Sequence, residues 1–218
     1  LNSNGDLLVL VDSNVHLWDV TTRQWIATLP IDLNSISDIA FHPNGEQLAI
    51  VDSAGYFEIW DAVNQTIVVE RREKSIYDGP RGPDSYQVAF SPDGKSLALS
   101  GNEGINIWDA GKGVIQKRIR MGPWDVSIDI AFTMDGSELL ILGYDGFWRC
   151  DLQTGELTQM FSFKAEHASL GQDYLVTSNT IYLGGNLWEN PTTIDIYDSH
   201  TCLLYTSDAA DEEDSVDL

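Results

Sequence analysis

Three Trp-Asp dipeptides recur along the chain, Trp18-Asp19, Trp60-Asp61 and Trp108-Asp109, and two weaker copies, Cys150-Asp151 and Tyr197-Asp198, continue the series. Successive copies stand 42, 48, 42 and 47 residues apart. A fixed period in that range marks an array of repeats, in which each unit is too small to bury both of its own faces and must stack on its neighbours. The period therefore constrains the whole chain to a row of like units rather than one core with insertions.

A second landmark precedes the dipeptide at a similar offset: AFHPNG at 40–45, AFSPDG at 89–94 and AFTMDG at 131–136. Asn-Gly and Asp-Gly favour tight hairpin turns because both central positions tolerate positive φ, which makes Gly45, Gly94 and Gly136 structural positions. Each turn joins a strand ending in Ala-Phe to an apolar run at 47–51, 96–100 or 138–142. Near-continuous apolar runs of that length mean burial on both faces. A short polar turn follows, then a third strand ending in Trp-Asp, then a looser fourth strand at 66–71, 114–118 and 157–161. Four short strands per period predict an all-β architecture of antiparallel blades, a β-propeller. Trp18, Trp60 and Trp108 are large apolar plates suited to the space between blades. Asp19, Asp61 and Asp109 are placed to accept backbone N–H bonds in the turn that follows. Cys150 takes the Trp position in one copy and reads as a small buried hydrophobe rather than a redox centre, with Trp148 on the same strand face restoring volume.

These residues resemble the WD-repeat β-propeller family, on the segments AFHPNGEQLAIVDSAGYFEIWDAVNQ, AFSPDGKSLALSGNEGINIWDAGKG and AFTMDGSELLILGYDGFWRCDLQTGE. The resemblance covers nearly all of residues 1–201 and is closest to degenerate, prokaryotic-style repeats. The family's upstream Gly-His pair is absent, since none of His16, His42, His167 and His200 stands there, so its buried Asp-His-Ser/Thr-Trp chain is not expected. The resemblance implies a non-enzymatic scaffold that binds protein or peptide partners through one propeller face, without cofactor or metal. Two alternatives stay open: the propeller portion of a larger enzyme, of hydrolase-gating or quinoprotein type, and the sensory domain of a signalling chain. For the quinoprotein alternative, Thr154-Gly155 is a lone match without that family's downstream Trp.

Blades are expected at about 1–30 (partial), 34–73, 84–121, 125–163 and 165–201 (partial), an open arc of about four to five blades. NSNGDLLVLVD at 2–12 aligns with HPNGEQLAIVD at 42–52, so the first blade is expected to open just before its Asn-Gly turn, without its inner strand. From Cys202 the pattern stops; Cys202–Glu212 resembles a translated sequencing adapter, and 202–218 is expected to be a non-native or disordered acidic tail. Unpaired blade edges at both ends of the arc are expected to favour self-association.

The chain carries 34 acidic against 12 basic residues, a net charge of −22; six acids lie in the tail, leaving 28 against 12, or −16, in the repeats. Nucleic acids and anionic membranes are poor partners for such a surface, because binding them needs clustered Lys and Arg. No apolar run reaches membrane-spanning length. The compartment stays open. No phosphate-binding Gly-rich loop, metal-ligand spacing or nucleophile elbow occurs, and the Asp-bearing turns lack the alternating carboxylates of a calcium loop. Binding is instead expected on the connections from a fourth strand to the next first strand, and from a second strand to a third, which share one end of the blades. There Tyr77 and Arg81, Trp124, and Tyr182 with Trp188 are the candidate partner-binding residues, because loops on a rigid scaffold carry binding and Trp, Tyr and Arg supply much interface energy.

Overall fold

Each repeat folds into its own antiparallel sheet. In the computed structural model the described residues are 1–12, 14–31, 33, 35–72, 86–101, 104–121, 127–143, 146–162, 167–170, 174–180, 192–198 and 204–205. The first sheet holds β1 (Leu7–Val11), β2 (Val15–Asp19) and β3 (Gln24–Leu29). The second holds β4 (Ile36–Phe41), β5 (Gln47–Asp52), β6 (Tyr56–Asp61) and β7 (Thr66–Arg72). The third holds β8 (Val88–Phe90), β9 (Ser96–Gly101), β10 (Gly104–Asp109) and β11 (Val114–Arg120). The fourth holds β12 (Ser127–Phe132), β13 (Glu138–Gly143), β14 (Gly146–Asp151) and β15 (Leu157–Ser162). The fifth holds β16 (His167–Leu170), β17 (Tyr174–Thr180), β18 (Thr192–Asp198) and β19 (Leu204–Tyr205). Strands in every sheet run in chain order, and the described elements are all strands. The second to fifth sheets touch in succession through their first strands, β4 to β8 to β12 to β16. The fold is a fan of propeller blades.

The second strand of each blade explains why the blades stack. Its residues alternate between two neighbours, so both faces need cover. Leu48 and Ile50 join Val15, Leu17 and Leu29 of the first sheet, with Trp60 and Ala62, in one core cluster. Ala49 and Val51 point the other way, into a cluster with Phe57, Ile59, Leu97, Leu99 and Trp108. Ala98, Ile105 and Ile107 meet Leu139, Ile141 and Cys150 in the next. Leu140, Leu142 and Phe147, on the far face of the fourth sheet, are fully buried as well.

Trp60 and Trp108 thus face the preceding sheet. Trp60 and Trp108 are 2% and 6% exposed, and the Trp108 ring meets Phe57 edge-on at 5.1 Å. Trp18 is only half-buried, because the described residues place no sheet before the first; beside it Trp25 is 56% exposed. A register shift precedes Trp18, Trp60 and Trp108 where the third strand pairs with the fourth, and such a bulge re-aims a side chain. In the fourth sheet the shift precedes Trp148 instead. Trp148 packs on the cluster that contains buried Cys150, whose thiol pKa is raised by burial. That environment makes an inert thiol.

The Asp of each dipeptide performs one task in four copies. Its Oδ1 accepts the backbone N–H three residues on: Thr22 to Asp19, Asn64 to Asp61, Lys112 to Asp109 and Thr154 to Asp151, at 2.7–2.9 Å. These bonds lower the pKa of Asp19, Asp61 and Asp151; at Asp109 the Lys112 side chain contributes most, followed by its backbone N–H. One residue further the chain turns left-handed, at Gly113 and Gly155 but also at Arg23 and Gln65. In the segment from Cys202, Leu204 and Tyr205 pair with Tyr197 and Ile196, which departs from the expectation of an unpacked tail. An unpaired edge can hold any short extended apolar stretch.

Truncating Trp60 or Trp108 to Ala is expected to cost about 3–5 kcal/mol, and Trp18 to Ala about 1 kcal/mol, in urea unfolding. Equal losses at all three sites would contradict the assignment of each Trp to the preceding interface. Gln65→Gly should stabilise by about 0.5–1 kcal/mol by relieving left-handed strain. Gly113→Ala should destabilise, since a Cβ there would lie 2.7 Å from Val69 Cγ1 of the neighbouring blade.

Candidate functional site

The first strands bound a central groove of about 1120 Å³, open to solvent and mostly apolar. Val9 and Val11 line it from the first blade, Ile39 and Phe41 from the second, Phe90 from the third, and Ile130 and Phe132 from the fourth. Among the described residues of this lining, Asp38 is the one carboxylate.

Asp38 bridges two blades. Its Oδ1 accepts from its neighbour Ile39 N at 2.8 Å, and its Oδ2 accepts from Val88 N in β8 at 2.9 Å. Asp129, at the matching place in β12, accepts from Ile130 N and from Leu170 N in β16, both at 2.9 Å. Gln87 stands at this place in the third repeat, so Val88 N is served from the preceding blade. Burial pushes the Asp38 carboxyl up to about 6, against the opposing pull of its two N–H donors, and the Asp129 charge adds to the rise. Burial raises Asp129 too.

The ends of the blades carry a second set of links. At the turns between first and second strands, Asn2 Nδ2 donates to the Gly45 carbonyl at 3.1 Å. His42 Nε2 lies 3.1 Å from the Gly94 carbonyl, and its Nδ1 accepts from Asn44 N at 3.1 Å. That pair of partners selects the tautomer with the proton on Nε2. Ser91 and Thr133 hold the same place in later repeats but are too short to cross. Ser91 Oγ and Thr133 Oγ1 turn back to Asp93 and Asp135 Oδ1, each at 2.7 Å. Hydrogen bonding, from the Ser91 hydroxyl first at Asp93 and from the Ser137 N–H first at Asp135, lowers both pKa values to about 2. On the outer strands, Arg71 Nε donates to the Gly113 carbonyl at 3.0 Å, and Lys117 Nζ to the Leu152 carbonyl at 2.6 Å.

Tyr77, Arg81, Trp124, Tyr182 and Trp188 lie outside the described residues. The strand ends that flank them are Arg72 and Val88, Arg120 and Ser127, and Thr180 and Thr192. Asp38, Asp129 and His42 were not singled out from the sequence. The available signal was an Asp inside the apolar runs SDIAF and SIDIAF, where a strand facing only apolar neighbours would not keep one. Among the described residues, no group of three or more His, Cys, Asp or Glu is arranged to hold a metal, and no helix is long and apolar enough to cross a membrane.

No protein-family profile matches the chain. It is 28% identical over 131 residues to the probable U3 small nucleolar RNA-associated protein 18 of Schizosaccharomyces pombe, covering 60% of this chain and 24% of that protein. It is 27% identical over 138 residues to the periodic tryptophan protein 2 homolog of the same yeast, covering 55% and 16%. Over 104 residues it is 27% identical to the pre-mRNA-processing factor 19 homolog 2 of Arabidopsis thaliana, covering 47% and 18%. These relatives are WD-repeat proteins. The chain carries the same repeat. It spans a quarter or less of the length of these relatives. Among solved structures, Kuenenia stuttgartiensis hydrazine synthase superposes with a TM-score of 0.60 at 16% identity, over 81% of this chain and 49% of that one, a likeness of fold alone.

The carboxylates of the WD-repeat arc fall into two groups that predict its pH dependence. Asp38, raised to about 6, binds its proton more tightly folded than unfolded, so stability falls as pH rises from about 4 to about 6, by on the order of 2–3 kcal/mol. Asp93 and Asp135, lowered to about 2, contribute stability that is present above the unfolded value and lost as pH falls through about 2. The urea midpoint should therefore peak near pH 4, and Asp38→Asn should flatten the upper limb while leaving the acid limb. A midpoint that climbs steadily from pH 4 to 7 would rule this out.

Proposed function

We propose that the WD-repeat arc is a non-enzymatic interaction module that holds protein or peptide partners at one end of its blades. The observation that supports this reading is the contrast between scaffold and connections. In the second, third and fourth blades the second strands are buried on both faces, with Leu48–Val51, Leu97–Leu99 and Leu139–Leu142 at 0% exposure, so these blades form a stiff frame. The strand ends Arg72 and Val88, Arg120 and Ser127, and Thr180 and Thr192 are joined in the sequence by segments that carry Tyr77, Arg81, Trp124, Tyr182 and Trp188. Presenting such residues from a rigid support lowers the ordering cost of binding.

The likeness to WD-repeat proteins supports an interaction-scaffold role. Two of their names refer to U3 small nucleolar RNA and to pre-mRNA processing. For this chain a protein component of such an assembly is the better partner than the RNA, since a net charge of −22 opposes a phosphate backbone.

A photo-crosslinking amino acid placed at Tyr77, Trp124 or Tyr182 should capture the same protein in cells, while one at Glu46, in a turn at the other end, should not. With the captured protein in hand, Trp124→Ala or Trp188→Ala should weaken binding by about 1–2 kcal/mol in calorimetry. Equal capture from both ends, or affinity untouched by every loop substitution, would refute the one-face reading.

A further inference from the structure

The opposite end of the blades, where the turns between first and second strands lie, holds an opening that the repeat pattern explains. Between the first and second blades the space beside the turn is filled by Asn2 together with Asn4, whose Nδ2 would lie 2.7 Å from a Cβ on Gly45, and between the second and third by His42, which also meets Phe90 edge-on at 4.9 Å. Asn2 and His42 each bring an N–H to the Gly carbonyl of the next turn. Between the third and fourth blades Ser91 cannot reach. The equivalent Gly136 has no described side chain closer to its would-be Cβ than Pro92 Cδ, at 3.6 Å. A pocket of about 650 Å³ is left there.

The walls of that pocket state what would fit. Phe132, Met134 and Leu152 supply apolar surface, and Met134 is 56% exposed. The polar lining includes the carboxylates of Asp93 and Asp135 and the backbone of Gly136, beside the side chains of Ser91, Ser96, Gln116 and Lys117. Both carboxylates stay ionised throughout the physiological range. Lys117 is the cation among the described residues of the lining, and Lys95 lies outside it. Lys95 pairs with Asp93 Oδ2 at 3.2 Å while largely exposed, a pairing worth little, and the Lys117 ammonium is directed to the Leu152 carbonyl. Asn2 and His42 are the chain's own examples of an N–H donor seated in this place.

We propose that this interblade pocket receives an arginine side chain from a partner protein, its stem on Phe132, Met134 and Leu152 and its guanidinium among Asp93, Asp135 and the Gly136 carbonyl. Guanidinium fits because it is planar, carries five donors and no acceptor, and keeps its charge at every relevant pH. The strongly acidic surface adds attraction at long range. This site lies at the other end of the blades from the proposed partner-binding loops, so it stands or falls separately from them.

The test uses the full chain with the probe acetyl-Gly-Arg-Gly-amide, followed through amide NMR shifts of Ser96, Gly136 and Leu152. Saturable shifts there are expected, with binding at least about tenfold weaker when citrulline replaces Arg. Ser91→His should seat an imidazole as His42 does, keep the fold, and abolish the shifts. Asp135→Asn should weaken binding with thermal unfolding as the control for integrity. Absence of saturable shifts, equal binding of the citrulline peptide, or binding undiminished in a folded Ser91→His variant would each overturn the assignment.

Discussion

Everything in this structure depends on second strands that are apolar on both faces. Leu48 to Val51 and Leu139 to Leu142 are all at 0% exposure, which no isolated sheet could achieve. Each blade is therefore stable only on condition that its neighbours are present, and stability should behave as a sum of blade and interface contributions. The dipeptide Trp follows from the same constraint. A two-sided strand leaves a gap toward the preceding blade near the third turn, and a large plate fills it. Because the sheet interiors are so uniformly apolar, nearly all polar chemistry is displaced to the two ends and to the groove edges of the first strands. The fold thus separates a frame that does not vary from ends that can.

Strands, turns and the task of each dipeptide Asp were legible in the sequence because they act within one repeat, at offsets of a few residues. Asp61 serves Asn64, and Gly45 closes its own hairpin. What acts between repeats was not legible. Asp38 meets Val88, 50 residues on, and His42 meets Gly94, 52 residues on, so neither partner lies inside any local window. Trp18 shows the same limit from the other side. Its dipeptide is as good as that of Trp60, yet its burial depends on a sheet its own repeat does not contain. Leu204 and Tyr205 escaped a compositional reading, since pairing to Ile196 and Tyr197 requires only an extended backbone and a free edge. The five loop residues proposed for binding rest on connection length and residue type alone.

Differences among the repeats separate into two kinds. Inside the blades, a departure is compensated nearby. Trp60 and Trp108 are each followed two residues later by buried alanines, Ala62 and Ala110, whereas Cys150 is flanked by Trp148 and Leu152 at the same spacing, so the volume is redistributed along one strand face. Close packing demands this, since a void the size of an indole in a core would cost several kcal/mol. Gln87 for Asp is compensated as well, by the second oxygen of Asp38 across the blade boundary. At the blade ends no such demand exists, because water can occupy whatever a side chain vacates. Ser91 in the place of His42 satisfies its own hydroxyl through Asp93 and Ser96, at 2.7 and 2.9 Å, and leaves the gap to the next turn open. Substitutions at the ends can thus accumulate without loss of the frame, and they are the places where one array of this architecture can come to differ from another in what it holds.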